Sequence, residues 1–182
     1  MLAVSGGSTP KLFFEKLSQM DIPWTNVTVT LVDERQAPES SERSNARLVR
    51  GSLLQNQAAA AKFVPLYQNP EALKIEKLDV VVLGMGLDGH TASFFPGGNT
   101  LAAGLDSKGS ARIIDISAPG SGEPRLTFTL PVLLGAKKLI LHIEGTDKRK
   151  VLDKALGEGT IEEMPVRAVL RSEAPVALYW CR

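Results

Sequence analysis

The run Leu78–Leu83 constrains the fold of this chain more than any other segment. Asp79 is its only polar residue. The run is too short for a helix, and it has no regular polar side to offer solvent, so it reads as a strand buried on both faces. Strands of that kind belong to parallel sheets covered by helices. The rest of the chain alternates accordingly. Leu2–Ser5 is short and apolar, and Pro10–Met20 carries apolar residues at Leu12, Phe13, Leu17 and Met20, a helical period opened by Ser8, Thr9 and Pro10. Val27–Val32 reads as a second strand, followed by a polar loop through Glu42 and a helix from Ser44 to about Gln55. Phe63–Leu66, Arg112–Ile116, Leu126–Leu130, Leu139–Ile143 and Val176–Trp180 are further strands; Thr146–Leu156 and Pro165–Leu170 are further helices. The expected class is α/β, with a largely parallel sheet covered on both faces. Ser117–Pro124 reads as a surface loop. The first strand starts at Met1, so it is either a terminal strand or the remnant of a longer N-terminal region.

Composition supports one domain over residues 1–182. With 43% hydrophobic residues, 23% charged and a net charge of +1, the chain can bury a proper core and is not disordered. So even a charge balance argues against nucleic-acid binding, which needs clustered cations. The nearest cluster, Lys148-Arg149-Lys150, lies between Asp147 and Asp153 and reads first as a solvated helix face. The single cysteine, Cys181, excludes an intrachain disulfide and a cysteine metal cluster, and fits a reducing compartment. No apolar run approaches the ~18 residues of a membrane span. The N-terminus carries no secretion signal, so a soluble cytoplasmic protein without membrane partners is expected.

In open α/β sheets, ligands bind beyond the carboxyl ends of the strands. Ser5-Gly6-Gly7-Ser8-Thr9-Pro10 follows the first strand and opens a helix, offering backbone N–H groups, hydroxyls and a helix N-terminus to an anion. It also reads as a plain tight turn with a helix cap, and no Gly-Lys-Ser/Thr follows to make a Walker loop. Asp33-Glu34-Arg35 follows the second strand, with Ser44-Asn45 one loop later. There an arginine can grip a phosphate and an acid beside it can orient a hydroxyl or the arginine itself, although a charged surface loop is the plainer reading. Gly84-Met85-Gly86-Leu87-Asp88-Gly89 matches G-x-G-x-x-G after the buried strand. The context is wrong for a dinucleotide site, because Pro96-Gly97-Gly98 leaves no room for the long helix that should follow. The glycines instead let the backbone approach a small substrate, with His90 at the sheet mouth as a general base and Asp88 orienting the imidazole or a water, the alternative being a loop histidine that caps a turn. His142, inside a strand, reads as a packed imidazole. No zinc site is expected, since histidine ligand spacing is absent. Arg125, ahead of a strand, and Lys148, in a first helical turn where a cation opposes the dipole, are further candidates to face an anion. A solvent-exposed lysine is the alternative for Lys148.

Taken together, Ser-Gly-Gly-Ser-Thr-Pro at 5–10, Val-Asp-Glu-Arg at 32–35, Ser-Asn at 44–45 and Gly-Met-Gly-Leu-Asp-Gly-His-Thr-Ala-Ser-Phe-Phe-Pro-Gly at 84–97 resemble the 6-phosphogluconolactonase family. Pro124-Arg125-Leu126-Thr127 and Gly145-Thr146-Asp147-Lys148 follow in the same order. The resemblance implies a Rossmann-like three-layer fold shared with glucosamine-6-phosphate deaminases and ribose-5-phosphate isomerases. It also implies hydrolysis of 6-phospho-D-glucono-1,5-lactone in the pentose phosphate pathway, with no metal and no cofactor. The continuation after Asp-Gly-His points to the lactonases rather than the deaminases. Family members carry helical sequence ahead of the first strand, which this chain lacks. The site expected is His90 with Asp88 for catalysis. Gly6, Gly7, Ser8, Thr9, Asp33, Arg35, Asn45, Gly86, Gly89, Arg125 and Lys148 are expected for substrate, and a homodimer is allowed. The competing readings are a sugar-phosphate isomerase or deaminase and a non-catalytic sugar-phosphate-binding protein.

Overall fold

The computed structural model describes residues 1–119 and 121–182. Its strands, in chain order, are β1 (Leu2–Val4), β2 (Thr28–Leu31), β3 (Asp33–Arg35), β4 (Lys62–Val64), β5 (Val80–Leu83), β6 (Ile113–Ile116), β7 (Arg125–Phe128), β8 (Lys138–Glu144) and β9 (Val176–Cys181). Six of them form a sheet in the order β4-β2-β1-β5-β8-β9, with every pairing parallel. The chain runs outward from β1 through β2 to β4, then returns to the other side of β1 and runs outward again from β5. The order therefore reverses between β1 and β5, and the two strands part at their carboxyl ends to leave a crevice.

The helices are α1 (Lys11–Ser18), α2 (Asn45–Ser52), α3 (Leu101–Leu105), α4 (Leu130–Leu134), α5 (Thr146–Leu156) and α6 (Val166–Leu170). Ser44 caps α2 by accepting the Arg47 N–H at 3.2 Å. Gly145, at φ +88°, turns the end of β8 into α5, a conformation that favours glycine. Phe14, Leu31, Leu83, Phe94, Phe128, Leu141 and Ile143 are buried to below 2% exposure, and each burial is worth roughly 1.5–3 kcal/mol. Among the described residues no helix is long and apolar enough to cross a membrane.

Several boundaries differ from the sequence reading. Residues 33–35, expected in a polar loop, form β3, and β3 pairs antiparallel with β7, which pairs antiparallel with β6. This second, three-stranded sheet takes Arg112–Ile116 and Leu126–Leu130 out of the parallel sheet. Val32 is the pivot: its N–H donates to Val4 in the first sheet at 2.9 Å, and its carbonyl accepts from Phe128 in the second at 3.1 Å. β7 stops at Phe128 because Leu130-Pro131 opens α4, and β4 stops at Val64 because Pro65 has no N–H for the ladder. Cover on both faces also fails locally, since Leu178–Cys181 of β9 are exposed. Within the Ser117–Pro124 loop, Gly120 lies outside the described residues.

Candidate active site

A cleft of about 270 Å³ opens at the carboxyl ends of β1 and β5, the size for one small metabolite rather than a polymer. Its floor is the Ser5–Pro10 loop. Ser5 ties the two central strands together, its N–H donating to Val82 at 3.0 Å and its hydroxyl accepting the Gly84 N–H at 3.2 Å. Beyond it, Gly7 takes φ +96°. The N–H groups of Gly6, Gly7, Ser8 and Thr9 have no protein acceptor among the described residues, so they form an open concavity for an anion at the head of α1. A side chain at Gly6 would collide with the Asn45 carboxamide, so only glycine fits there.

The small sheet supplies one wall. Alternation along β3 and β7 puts Asp33, Arg35, Arg125 and Thr127 on one face, and the register sets Arg35 opposite Arg125. Like charges opposed across strands repel, so this pair adds nothing to the sheet's stability, and it presents two cations that an anion could share. The Arg35 and Arg125 Nε groups are buried and lack hydrogen-bond acceptors among the described residues, although Glu123 Oε1 stands 3.7 Å from Arg35 Nε. Burial pulls the Arg125 guanidinium below its ordinary range; Asp33 opposes that shift and Arg35 adds to it. Asp33 is itself buried. Its carboxylate accepts from Ser93 Oγ at 2.6 Å and lies 3.7 Å from Arg125 Nη1, so it acts as the arginine's counter-charge. Asn45 is equally committed, accepting from Arg35 Nη1 and donating to the Asp33 carbonyl at 2.9 Å. Lys148, on the first turn of α5, leaves the helix's solvated face and donates to Thr9 Oγ1 at 2.9 Å. Burial lowers its affinity for the proton, with Glu144 opposing. Of the Lys148–Lys150 cluster, only Arg149 and Lys150 remain on the solvated face, paired with Asp153 and Asp147.

The opposite wall is the Gly84–His90 loop. Gly86 donates to the His90 carbonyl at 2.9 Å and Gly89 to the Gly86 carbonyl at 3.1 Å, so the loop folds on itself, and the next helix is the short α3. This is the arrangement expected of a glycine loop that is not a dinucleotide site. His90 Nδ1 lies 2.5 Å from Asp88 Oδ1, which also accepts the His90 backbone N–H at 3.1 Å. Burial resists ionisation of Asp88, but its contacts with His90 win and hold its carboxyl below the ordinary carboxylate range. With Nδ1 turned to Asp88, Nε2 is left for chemistry.

Of the expected residues, Gly6, Gly7, Ser8, Thr9, Asp33, Arg35, Asn45, Gly86, His90, Arg125 and Lys148 line this cleft. Asp88 stands behind His90, and Gly89 is buried against Met164 instead of facing the cleft. His142 packs edge-on to Phe13 and contacts Glu144 at 3.3 Å, as a structural imidazole would, yet it also lines the cleft.

Two further residues were not among those expected to bind substrate or catalyse. Glu34 points away from the cleft and is 1% exposed. Its carboxylate accepts from the Arg35, Asn45 and Ala46 N–H groups at 2.7, 2.9 and 2.7 Å and from Ser44 Oγ at 3.1 Å, pinning Arg35 and Asn45 in place. Burial pushes its pKa up, against those hydrogen bonds. Phe95 packs against the His90 ring at 4.4 Å and lies 4.9 Å beneath the Arg125 guanidinium, joining the two walls. Its place in the Ser-Phe-Phe-Pro stretch was the only available signal.

An imidazole with its own carboxylate, facing cations and free amides across a switch-point crevice, defines an α/β enzyme of small anionic molecules. More narrowly, this chain belongs to the glucosamine-6-phosphate isomerases/6-phosphogluconolactonase family, whose model matches residues 1–180. It is 52% identical to a 6-phosphogluconolactonase of Rhizobium meliloti (strain 1021) over 98% of this chain and 83% of that one. It is 51% identical to one of Mesorhizobium japonicum over 99% and 81%. Among solved structures, a 6-phosphogluconolactonase from Shewanella baltica OS155 superposes with a TM-score of 0.92 at 38% identity, covering 98% of this chain and 82% of that chain.

Proposed function

We propose that this chain is a 6-phosphogluconolactonase that hydrolyses 6-phospho-D-glucono-1,5-lactone to 6-phosphogluconate with His90 as general base. The observation that carries the reading is the division of the cleft: one imidazole–carboxylate pair on one wall, and opposed guanidiniums with an open amide loop across from it. The Gly6–Thr9 amides, Arg35, Arg125 and Lys148 hold the phosphate. That places the lactone carbonyl near His90 Nε2. Neutral His90 takes a proton from water as the oxygen attacks C1. The tetrahedral intermediate then collapses, the bond from C1 to the ring oxygen breaks, and the imidazolium returns its proton to that oxygen. The acid formed ionises and releases one proton to solvent.

The oxyanion is not stabilised by Gly84, Gly86 or Gly89, whose N–H groups are already spent inside the protein. A cation of the opposite wall, or an amide of Met85, Leu87 or Asp88, which have no acceptor among the described residues, takes that part. The enzyme works as a soluble cytoplasmic protein, and a homodimer is compatible with the reading.

The test generates the lactone in place with glucose-6-phosphate dehydrogenase and follows 6-phosphogluconate above the spontaneous background, with His90→Ala beside the wild type. Acceleration that falls ~10²–10⁴-fold in the variant is expected of a lost general base. A folded wild type with no acceleration, or a variant as fast as wild type, would overturn the assignment. Tight binding of 6-phosphogluconate without turnover would identify a sugar-phosphate-binding protein instead.

A further inference from the structure

The residue before the base is held from behind. Gly89 is buried at φ +81°, and a Cβ added there would stand 2.9 Å from Met164 Cβ and Cε. Its carbonyl accepts the Val166 N–H at 2.9 Å. Met164, 5% exposed, lies near the end of the segment 157–165 that links α5 to α6, and Val166, fully buried, opens α6. That segment is wrapped around Arg167, which is 2% exposed.

All five guanidinium donors of Arg167 are used. Nε reaches the Ala155 carbonyl at 3.3 Å. Nη1 reaches the Thr160 carbonyl at 3.0 Å and Glu163 Oε2 at 3.2 Å, and Nη2 reaches the Lys154 carbonyl at 3.3 Å and the Glu158 carbonyl. Glu163 is its charged partner, and that side chain is 65% exposed. Burying a guanidinium in this way contributes little stability beyond what apolar packing would give, but it fixes the geometry of every carbonyl it binds. The link between α5 and α6 is thereby locked into one shape, and its last residues touch the peptide that carries His90.

We propose that Met164, locked in place through Arg167, is a positioning residue for His90: it seats Gly89 so that the imidazole stands at the reacting carbon. The inference rests on the lactonase reading. A misplacement of about 1 Å at a reacting group can cost ~10²-fold in rate. The support should therefore act on turnover and leave the phosphate end of the cleft alone.

The experiment compares Met164→Ala, Met164→Leu, Arg167→Lys and Leu78→Ala in the full chain, well below each variant's melting temperature. Leu78 is a core residue ahead of the amino end of β5, at the far end of the sheet from the cleft. Met164→Ala is expected to lower kcat about tenfold or more with KM within about twofold of wild type. Met164→Leu, nearly equal in volume, should restore kcat to within about threefold. Arg167→Lys should lower kcat by the same route, so that its effect is not additive with Met164→Ala. Leu78→Ala should lower the melting temperature but keep kcat. A wild-type kcat in Met164→Ala would overturn the proposal, as would a loss in Leu78→Ala equal to that in Met164→Ala. If Met164→Ala fails to fold, a wild-type kcat in Arg167→Lys overturns it in the same way. His90→Ala, run alongside, separates the two readings. If it is inactive while Met164→Ala is fully active, only the positioning role fails; if it is fully active, the lactonase mechanism fails first.

Discussion

Ser5–Pro10 after β1 and Gly84–His90 after β5 leave neighbouring parallel strands, and both depend on glycine. The first keeps the amides of Gly6 to Thr9 free of protein acceptors among the described residues. The second consumes those of Gly84, Gly86, Gly89 and His90 in its own turns and in Ser5 and Asp88. An open run of amides can receive an anion that arrives from solution. A loop that spends most of its glycine amides on itself offers less to an anion, but it can hold one side chain still, and here that side chain is His90. On the proposed mechanism the two loops divide recognition from chemistry, although their compositions are nearly alike.

The division can be broken at either end. His90→Ala should give the largest effect, ~10²–10⁴-fold in kcat with KM little changed. Next, Arg35→Ala should weaken binding of 6-phosphogluconate about 10- to 150-fold, the scale of 1.5–3 kcal/mol for a charge-assisted hydrogen bond, with kcat nearly intact. Isothermal titration at two salt concentrations would read it, and an affinity equal to wild type would remove Arg35 from the phosphate site.

A sharper comparison exchanges one atom in each loop. A Cβ at Gly86 would run into the His90 ring and the Asp88 carboxylate, whereas one at Gly6 would run into Asn45. Gly86→Ala should therefore lower kcat by about tenfold and Gly6→Ala should raise KM by about tenfold, the scale of 1.4 kcal/mol each. If both variants changed the same kinetic constant, the division would be wrong.

The smallest effect concerns Asp88. Its carboxyl titrates below the ordinary value in the folded protein, so its contribution to stability is fully present above about pH 5 and is lost as pH falls below about 4. Chemical denaturation of wild type and Asp88→Asn should converge as pH falls below about 4, where the carboxylate is protonated. A gap that stayed unchanged through that fall would contradict the pairing with His90.

Much of this site was legible because motifs at strand ends carry their chemistry in short spans: Ser5–Pro10, Asp33–Arg35 and Gly84–His90 each appear as a few residues just past an apolar run. The second sheet was not legible. Val27–Val32 looks like one continuous strand, and nothing local marks Val32 as the residue that leaves one sheet for another; that depends on Val4 and Phe128, both far along the chain. Glu34 stayed hidden for the same reason, since its partners Ser44 to Ala46 lie ten or more residues away. Gly89 looked like a residue of the cleft because Gly86 and His90 are. Only the contact with Met164 shows which way that peptide faces.

The path of the chain has a kinetic consequence. The cleft draws Thr9, Arg35, Asn45, His90, Arg125 and Lys148 from segments spread over most of the length, across pairings, parallel in the large sheet and antiparallel between β3 and β7, that no short hairpin closes. Contacts of such long sequence separation form slowly, because loop-closure entropy is lost before the contacts return anything. Helical signal should consequently recover early on dilution from denaturant, while hydrolysis returns only when the last crossover has docked, so the lag between them times the final step of folding.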